Sequence, residues 1–337
     1  MKVLIDADPY PPAMERLQAI PGLDLHLLER SDDHSPTTRS TSALANAEAC
    51  FCTIPPQNLD DAKSLRFIQI NSSGYSQLFN LGLNERSIRA ANASGVFDIA
   101  IAEWIIAMTI NLGRNLRGLI RNQEAGIFDR DARFQRELRG STIGFWGYGG
   151  IAREAARLSK AMGLVVHTMT RAGVQPRVEK YAVPGTGDPL GKLPDRVYQA
   201  DDEDAFLRGL DVLVLTMPLT KATEGIIGER ELRALRPTAF LLNPARGPLI
   251  EEQALLKSLR EQWFAGAAID AHYAYPLPAD HSLWRFPNVI LTPHISGSTA
   301  MPYFQQRTWD IFVQNIERLH NRQPLLNELS AAQVAGK

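Results

Sequence analysis

The sequence predicts an α/β fold built on a Rossmann-type, doubly wound parallel sheet. Three observations carry this prediction. Short apolar runs typical of buried strands alternate with stretches of helical periodicity along most of the chain. A glycine-rich turn joins a predicted strand to a predicted helix after Ser141, which is typical of a βαβ unit. The length of 337 residues fits two domains of ordinary size.

The N-terminal part carries the first set of predicted elements. Its apolar patterns predict four strands, at 3–5, 23–28, 49–53 and 67–70. They also predict one helix, at 12–20. The apolar segment 99–112 contains Glu103 and is shorter than the roughly 20 residues that a membrane-spanning helix needs. It therefore predicts a buried helix.

A second set of elements starts at Thr142. A strand at 142–146, a helix at 151–162 and a strand at 164–169 form the predicted βαβ unit. Further patterns predict strands at 212–216, 240–243, 267–270 and 289–292, a helix at 251–261 and a final helix at 301–320 followed by an extended tail at 324–329. The segment 176–195 is rich in Pro and Gly and predicts an inserted surface loop.

Composition excludes several classes of protein. Lys and Arg number 36 against 37 Asp and Glu, so a net charge of -1 offers no field that would attract nucleic acid or an anionic membrane. Cys50 and Cys52 fit neither a disulfide framework nor the usual zinc or redox spacing, so we expect buried thiols and no metal site. The N-terminus lacks a long apolar stretch before a cleavage site, and we expect a cytoplasmic protein.

The turn after the strand at 142–146 is the central chemical signal. Gly147, Gly149, Gly150, Ile151 and Ala152 lie in a G-x-G-x-x-A pattern. Glycines let the backbone approach a pyrophosphate, and the following helix N-terminus supplies free N–H groups. Such turns also use glycine for structural reasons alone, but the βαβ context favours dinucleotide binding.

The end of the next strand bears on the choice of cofactor. An NAD site usually places Asp or Glu there, roughly 20 residues after the turn, on the ribose hydroxyls. This chain has Thr170 and Arg171, and an arginine pairs well with a 2′-phosphate. The sequence therefore predicts a preference for NADP(H). In the alternative, Arg171 is an ordinary surface charge and an acid of the inserted loop serves NAD(H).

Three further segments follow predicted strands. They are 216–220 with Thr223, then 242–247, and then 291–297. The carboxyl ends of the strands form the edge at which open α/β sheets bind ligands. Taken singly, His294 is more often a structural histidine and Arg246 a surface ion pair, but their order together with the glycine turn indicates a site.

At this point the sequence resembles the D-isomer-specific 2-hydroxyacid dehydrogenase family. The glycine turn, a P-L-T run, N-x-A-R-G and T-P-H-x-x-G appear in family order between Leu138 and Ser298. The resemblance implies a discontinuous, flavodoxin-like substrate-binding domain at 1–94 and 300–337. It implies an NAD(P)-binding Rossmann domain at 95–299.

The resemblance also implies roles for individual residues. Arg246 would hold the carboxylate and polarise the keto oxygen of a 2-keto acid, and His294 would protonate that oxygen. The backbone N–H groups of Ser73 and Gly74 would cradle the carboxylate, and Asp270 would lie near the nicotinamide amide. The other positions that resemble the cofactor lining are Thr216, Pro218, Thr223, Pro244, Ala245 and Gly297. The helix at 99–119 and the arm to Phe128 resemble the region that forms the family's dimer.

One departure from the family pattern stands at Tyr275, where the family usually has a glutamate before a proline. That carboxylate raises the pKa of the catalytic histidine. Tyr275 could orient His294 without charging it and give a slower reductase with a more acidic optimum. Alternatively, the chemistry needs no proton transfer, as in formate-type oxidation, or the site is vestigial. In a further alternative the alignment slips, and the charge comes from Glu251, Glu252 or Asp280.

The sequence thus predicts a homodimeric, NADPH-preferring oxidoreductase that reduces a small 2-keto acid to a D-2-hydroxy acid. Its expected working pair is Arg246 and His294, and neither nucleic acid nor a membrane is an expected partner. The runner-up hypotheses are a non-catalytic NAD(P)-binding sensor or scaffold and a family member with formate-type hydride chemistry.

Overall fold

The computed structural model describes residues 1–28, 37–131, 135–171 and 173–336, and these divide into two units. Unit 1 comprises Met1–Phe97, Val178–Val183 and Thr299–Lys337. Unit 2 comprises Asp98–Arg177 and Pro184–Ser298. Each unit has a parallel sheet covered by helices, so the predicted α/β class is confirmed.

The described residues contain twelve strands and ten helices, which are numbered in chain order. The strands are β1 Lys2–Asp6, β2 Asp24–Leu27, β3 Ala47–Cys52, β4 Phe67–Ile70, β5 Arg89–Ala91, β6 Thr142–Trp146, β7 Val165–Met169, β8 Arg196–Tyr198, β9 Val212–Leu215, β10 Phe240–Asn243, β11 Gly266–Ile269 and β12 Val289–Leu291. The helices are α1 Pro11–Gln18, α2 Thr41–Leu44, α3 Asp98–Gly113, α4 Leu116–Glu124, α5 Gly150–Ala161, α6 Glu203–Arg208, α7 Glu229–Ala234, α8 Glu252–Arg260, α9 Pro302–His320 and α10 Ala331–Val334. No described helix is long and apolar enough to cross a membrane.

Unit 1 contains a five-stranded sheet in the order β2-β1-β3-β4-β5, which is the flavodoxin-like strand order. The C-terminal helix α9 packs on this sheet through aromatic rings. Phe312 stacks on Phe51 of β3 with the ring centroids 4.4 Å apart, and Trp309 meets Phe51 edge-on at 5.1 Å. Cys50 and Cys52 are buried and form no disulfide, as expected.

Unit 2 contains a seven-stranded sheet in the order β12-β11-β10-β9-β6-β7-β8. Starting from β6, this is the doubly wound order with one strand added at the β12 edge. The order reverses between β6 and β9, and open α/β sheets bind ligands at the carboxyl ends of the strands at such a switch point. The residues that follow β6 and β9 are therefore the first place to look for a site.

Three predicted elements differ from the structure. The predicted helix 99–119 is two helices, because Asn115 adopts a left-handed backbone with φ 49° between α3 and α4. The predicted inserted loop 176–195 and the predicted domain 95–299 are both interrupted, since Val178–Val183 belongs to unit 1. There the Tyr181 N–H donates to Oδ1 of Asn327 at 3.1 Å, and its ring is buried beside Ala93.

Candidate active site

All strands of the unit 2 sheet are parallel, so their carboxyl ends lie at one edge of the sheet. Six chain segments start at this edge, directly after β6, β7, β9, β10, β11 and β12. The three motif segments singled out in the sequence all lie at this edge, as predicted. The edge therefore brings the glycine turn, Arg246 and His294 into one unit of the fold.

The glycine turn follows β6 and leads into α5. Gly147 has φ +96°, and a side chain there would place a Cβ 3.0 Å from the backbone N of Met217, so both conformation and space require glycine. Gly149 is the N-cap of α5, and a Cβ on it would face open space. Ile151 lies in the first turn of the helix and is half-buried. The first N–H groups of a helix have no partner within the helix and can bind an anion.

Gly150 has a role that the sequence did not reveal. It is the first residue of α5, and a Cβ on it would fall 1.9 Å from Oδ2 of Asp98 and 2.4 Å from Nη1 of Arg177. Asp98 and Arg177 form an ion pair at 3.2 Å and are largely buried. The absence of a side chain at Gly150 therefore makes room for this pair at the start of the helix.

The loop that follows β7 is fixed to the glycine turn by the buried Arg153 of α5. Its guanidinium donates to the carbonyl oxygens of Tyr148, Gln175 and Asp188, the first at 3.2 Å and the second at 2.5 Å. The Tyr148 hydroxyl in turn donates to Oδ2 of Asp188 at 2.9 Å. No sequence motif predicted this network, because most of its acceptors are backbone oxygens, which every residue has.

Thr170 and Arg171 follow β7 directly. The Thr170 N–H donates to the carbonyl of Tyr198 in β8 at 3.1 Å, whereas its buried Oγ1 has no partner in the described part of the chain. Arg171 is exposed and makes no ion pair with the other described residues. Buried polar atoms normally have a partner, so Thr170 Oγ1 marks a position suited to a ligand.

The residues after β9 form a tight turn. Thr216 donates through Oγ1 to the carbonyl of Gly147 at 2.8 Å, which ties this turn to the glycine turn. Thr223 donates through Oγ1 to the carbonyl of Pro218 at 2.8 Å and accepts the N–H of Thr220 at 2.8 Å. Thr223 thus shapes the turn with its hydroxyl, and Pro218 and Thr216 lie beside the glycines.

Asn243, at the end of β10, shapes the segment that carries Arg246. Its Oδ1 accepts the N–H of Ala245 at 3.1 Å and its Nδ2 donates to the carbonyl of Arg246 at 2.9 Å. This residue was part of the N-x-A-R-G motif, but its role was not predicted. Pro244 is buried within the same segment.

Arg246 is half-buried, and within the described residues it forms no ion pair. Its Nη1 donates to the carbonyl of Ala245 at 2.7 Å. Burial lowers the pKa of Arg246 from its usual range, and Tyr275 acts in the opposite direction. Because guanidinium keeps its charge in proteins, the site holds a partly desolvated cation without a carboxylate of its own.

Asp270 follows β11 and is fully buried, with 0% of its surface exposed. Its carboxylate accepts the Thr292 hydroxyl at 2.5 Å and the N–H groups of Ile295 at 2.9 Å and Ser296 at 3.0 Å. Nε1 of Trp104 in α3 donates to Oγ1 of Thr292 at 3.2 Å. Asp270 therefore fixes the loop that carries His294, and Gly297 lies at the end of that loop.

His294 itself has a left-handed backbone with φ 59°, which few non-glycine residues adopt. His294 is an exposed residue, yet loss of surrounding water is the largest effect on its pKa and lowers it below the usual value. The charge of Arg246 lowers the pKa further, and Asp270 acts against both. Loss of water and the charge of Arg246 thus both disfavour the protonated imidazole.

Tyr275 packs against His294 by its ring and not by its hydroxyl. The two ring centroids are 5.3 Å apart at an angle of 42°, while the Tyr275 hydroxyl accepts the N–H of His272 at 3.1 Å. Glu252, one candidate for a substitute carboxylate, pairs with His281 at 2.7 Å. Within the described residues, the His294 ring has no hydrogen bond to a carboxylate.

Ser73 and Gly74 lie in unit 1, in the turn after β4. The Ser73 hydroxyl donates to the carbonyl of Ala93 at 3.2 Å, and the Ser72 hydroxyl donates to the carbonyl of Gly74 at 2.8 Å. The backbone N–H groups of Ser73 and Gly74 have no acceptor in the described part of the chain. Two neighbouring donors of this kind suit a small anion.

Comparison with known proteins shows what this chain is similar to. The family model for the NAD-binding domain of D-isomer-specific 2-hydroxyacid dehydrogenases matches residues 106–296. A glyoxylate reductase of Thermofilum pendens is 30% identical over 80% of this chain and 77% of its own. The match thus extends well beyond the glycine turn.

Solved structures share the whole fold. A D-isomer-specific 2-hydroxyacid dehydrogenase from Xanthobacter autotrophicus, in complex with NADPH and MES, has a TM-score of 0.77 at 21% identity and covers 98% of this chain and 99% of its own. One from Lactobacillus delbrueckii, in complex with NAD, has a TM-score of 0.74 at 19% identity over 98% of this chain and 99% of its own. The similarity of these two scores means that the backbone fold alone does not separate the two cofactors.

Proposed function

The chain belongs to the D-isomer-specific 2-hydroxyacid dehydrogenase family, and we propose that it is an NADPH-preferring reductase of small 2-keto acids. It is an NAD(P)-dependent 2-hydroxyacid dehydrogenase by family. The preference for NADPH, the size of the substrate and the roles of single residues are the parts that we propose.

One observation carries the proposal: Arg246 is a partly desolvated cation without an ion-pair partner in the described chain, and its charge lowers the pKa of His294. A buried charge is costly unless it is paired. A small anion with a carbonyl beside it, which is a 2-keto acid, would supply the missing charge and use the neighbouring acid.

The unit 2 edge fits a nicotinamide dinucleotide. Its phosphate and ribose groups would be held by the glycine turn at Gly147 and Gly149, the start of α5 and the unpartnered Oγ1 of Thr170. The turn at Thr216 and Pro218 and the segment at Ala245 would line it on the side of β9 and β10. When bound, the reduced nicotinamide supplies the hydride that C2 of the keto acid accepts.

Arg246 and His294 bind the substrate and supply the proton. Arg246 binds the substrate carboxylate through its planar fork and polarises the keto oxygen. His294, in its protonated form, donates a proton to that oxygen as C2 is reduced. In unit 1, the unpartnered backbone N–H groups of Ser73 and Gly74 remain a predicted place for binding a carboxylate. Asp270 keeps the His294 loop in place.

Replacing Arg171 by alanine is expected to raise the KM for NADPH at least tenfold and the KM for NADH less than twofold. The exposed guanidinium after β7 is the group that would pair with a 2′-phosphate, and NADH lacks this phosphate. Steady-state kinetics with both cofactors measures the two values.

The control is Arg208→Ala, which removes an exposed arginine that pairs with Asp204 in α6. It should leave both KM values unchanged. Equal effects of Arg171→Ala on NADPH and NADH would remove the proposed preference and favour an acid of the loop as the ribose ligand.

Replacing Tyr275 by glutamate is expected to move the fall of the reduction rate to higher pH by about one unit or more, since a nearby carboxylate favours imidazolium. His294 must be protonated to act, so the rate falls as the pH rises through its pKa. In the natural protein we expect this fall below the usual histidine value, because loss of surrounding water and the charge of Arg246 lower the pKa of His294.

Tyr275→Gln is the matched control, because it removes the phenol without adding charge. Its pH profile should stay at the acid position of the natural protein. A glutamate variant with an unchanged or more acidic profile would contradict the role that we assign to the missing carboxylate.

We also propose a homodimer. The α3–α4 region and the arm that follows expose several large apolar side chains, and Phe128 is 92% exposed. Exposed apolar side chains grouped in one segment are typical of an interface between chains. The exposed members are Ile110, Leu116, Leu119, Ile120, Ile127 and Phe128.

The proposed function is tested by following oxidation of NADPH and NADH with glyoxylate, hydroxypyruvate, pyruvate and phenylpyruvate. Turnover with NADPH and at least one of the small substrates supports it. Tight binding of NADPH with no turnover of any of them would contradict it and favour a non-catalytic sensor or formate-type chemistry.

A further inference from the structure

We infer that His272 is a positioning residue for His294, and this inference rests on the proposed function. The link between them is one backbone carbonyl. Thr292 O accepts the N–H of His294 at 3.0 Å and lies 2.8 Å from Nε2 of His272. A carbonyl can only accept, so Nε2 of His272 carries the proton and donates.

The shared carbonyl fixes the part of the chain that sets the direction of the His294 ring. The bond from His294 N to Thr292 O closes a three-residue turn around Pro293. His294 then takes up its left-handed φ of 59°. Such a conformation persists only where the surrounding structure holds it. A second donor on Thr292 O restrains the carbonyl and therefore the turn.

His272 is itself placed rigidly. A Cβ on Gly247 would fall 2.5 Å from the backbone carbonyl of His272, so this segment packs directly against the residue after Arg246. The His272 N–H donates to the Tyr275 hydroxyl. The Asp270 carboxylate accepts the N–H groups of Ile295 and Ser296, so the short segment after β11 holds the His294 loop both before and after His294.

Folding alone does not account for an imidazole at this position. Thr292 O already has a partner in His294 N. Nδ1 of His272 is buried without a partner among the described residues, and an apolar ring would avoid this unpartnered polar atom. Nδ1 of His167 in β7 is unpartnered as well. The feature that distinguishes His272 is the bond of its Nε2 to Thr292 O.

The test uses His272→Phe, His272→Gln and His272→Asn. Phenylalanine keeps the ring and removes the donor. The glutamine amide nitrogen reaches the place of Nε2, whereas the asparagine amide ends near the place of Nδ1. We expect His272→Phe to lower kcat at least tenfold with the KM for NADPH changed less than twofold and the Tm not lowered. We expect glutamine to restore kcat to within threefold and asparagine not to.

His167→Phe is the matched control, since His167 in β7 is a second histidine with a buried, unpartnered Nδ1. Its kcat should equal that of the natural protein. A kcat of His272→Phe within twofold of the natural value, or equal values for the glutamine and asparagine variants, would overturn the inference. If the phenylalanine variant does not fold, the comparison of glutamine with asparagine decides.

Amide hydrogen exchange separates this inference from the proposed function. We expect the peptide 289–298 to exchange at least fivefold faster in His272→Phe than in the natural protein, and unchanged exchange would overturn the inference. A natural protein that reduces no 2-keto acid would end the proposed function, while the exchange rates would still decide whether His272 holds the His294 turn.

Discussion

Replacing His294 by asparagine is expected to lower kcat for keto acid reduction by about a thousandfold, the middle of the range for a lost general acid. Asparagine is the substitution of choice because it tolerates the left-handed backbone that His294 adopts at φ 59°. The loop bonds to Asp270 come from the backbone of Ile295 and Ser296 and remain in this variant. The loss can therefore be assigned to the missing proton donor.

The measurement is kcat at saturating substrate, together with the Kd for NADPH from fluorescence titration. The Kd should stay within twofold, since His294 is not among the groups that we assign to the cofactor. A variant that keeps more than a tenth of the natural kcat would show that the keto oxygen takes its proton from another source.

Replacing Arg246 by glutamine is expected to lower kcat/KM by about a thousandfold, because losing a desolvated charge-assisted contact costs roughly 4 kcal/mol. Both the binding of the carboxylate and the polarisation of the keto oxygen depend on the fork. Arg246→Lys keeps a charge but not the planar pair of donors, so it should recover only part of the activity.

The Arg246→Gln variant is also expected to have an unusual effect on stability. Arg246 has no ion-pair partner among the described residues, and burial disfavours its charge. Its removal should therefore leave the Tm unchanged or raise it, as is common where a site is kept for function. A marked fall in Tm would indicate that Arg246 serves folding, and the loss of activity would then have a structural cause.

Much of the fold follows from local pattern. Strands such as β4, β6 and β10 begin and end where the apolar runs do, because buried parallel strands are apolar on both faces. β5 and β8 were missed, since each has only three residues and carries an arginine. The break at Asn115 was missed as well, because nothing in the periodicity of the segment distinguishes one helix from two.

The sequence predicted which residues form the candidate site. It did not predict the hydrogen bonds that hold those residues in place. The motif order gave Arg246 and His294, and parallel topology explains why both lie at one edge. The roles of Asn243, Thr292 and Arg153 depend on side-chain bonds to backbone atoms distant in sequence. Such bonds leave no spacing signal, and only three-dimensional packing reveals them.

The most direct test of the role of His294 is the pH profile of NADPH-dependent keto acid reduction by the natural protein between pH 5.5 and 8. We expect the highest rate at the acid end and a fall with an apparent pKa below the usual histidine value, because Asp270 does not outweigh the loss of surrounding water and the charge of Arg246 at His294. A rate that stays level up to pH 8 would contradict this expectation, since His294 would then hold its proton without the carboxylate that this chain lacks.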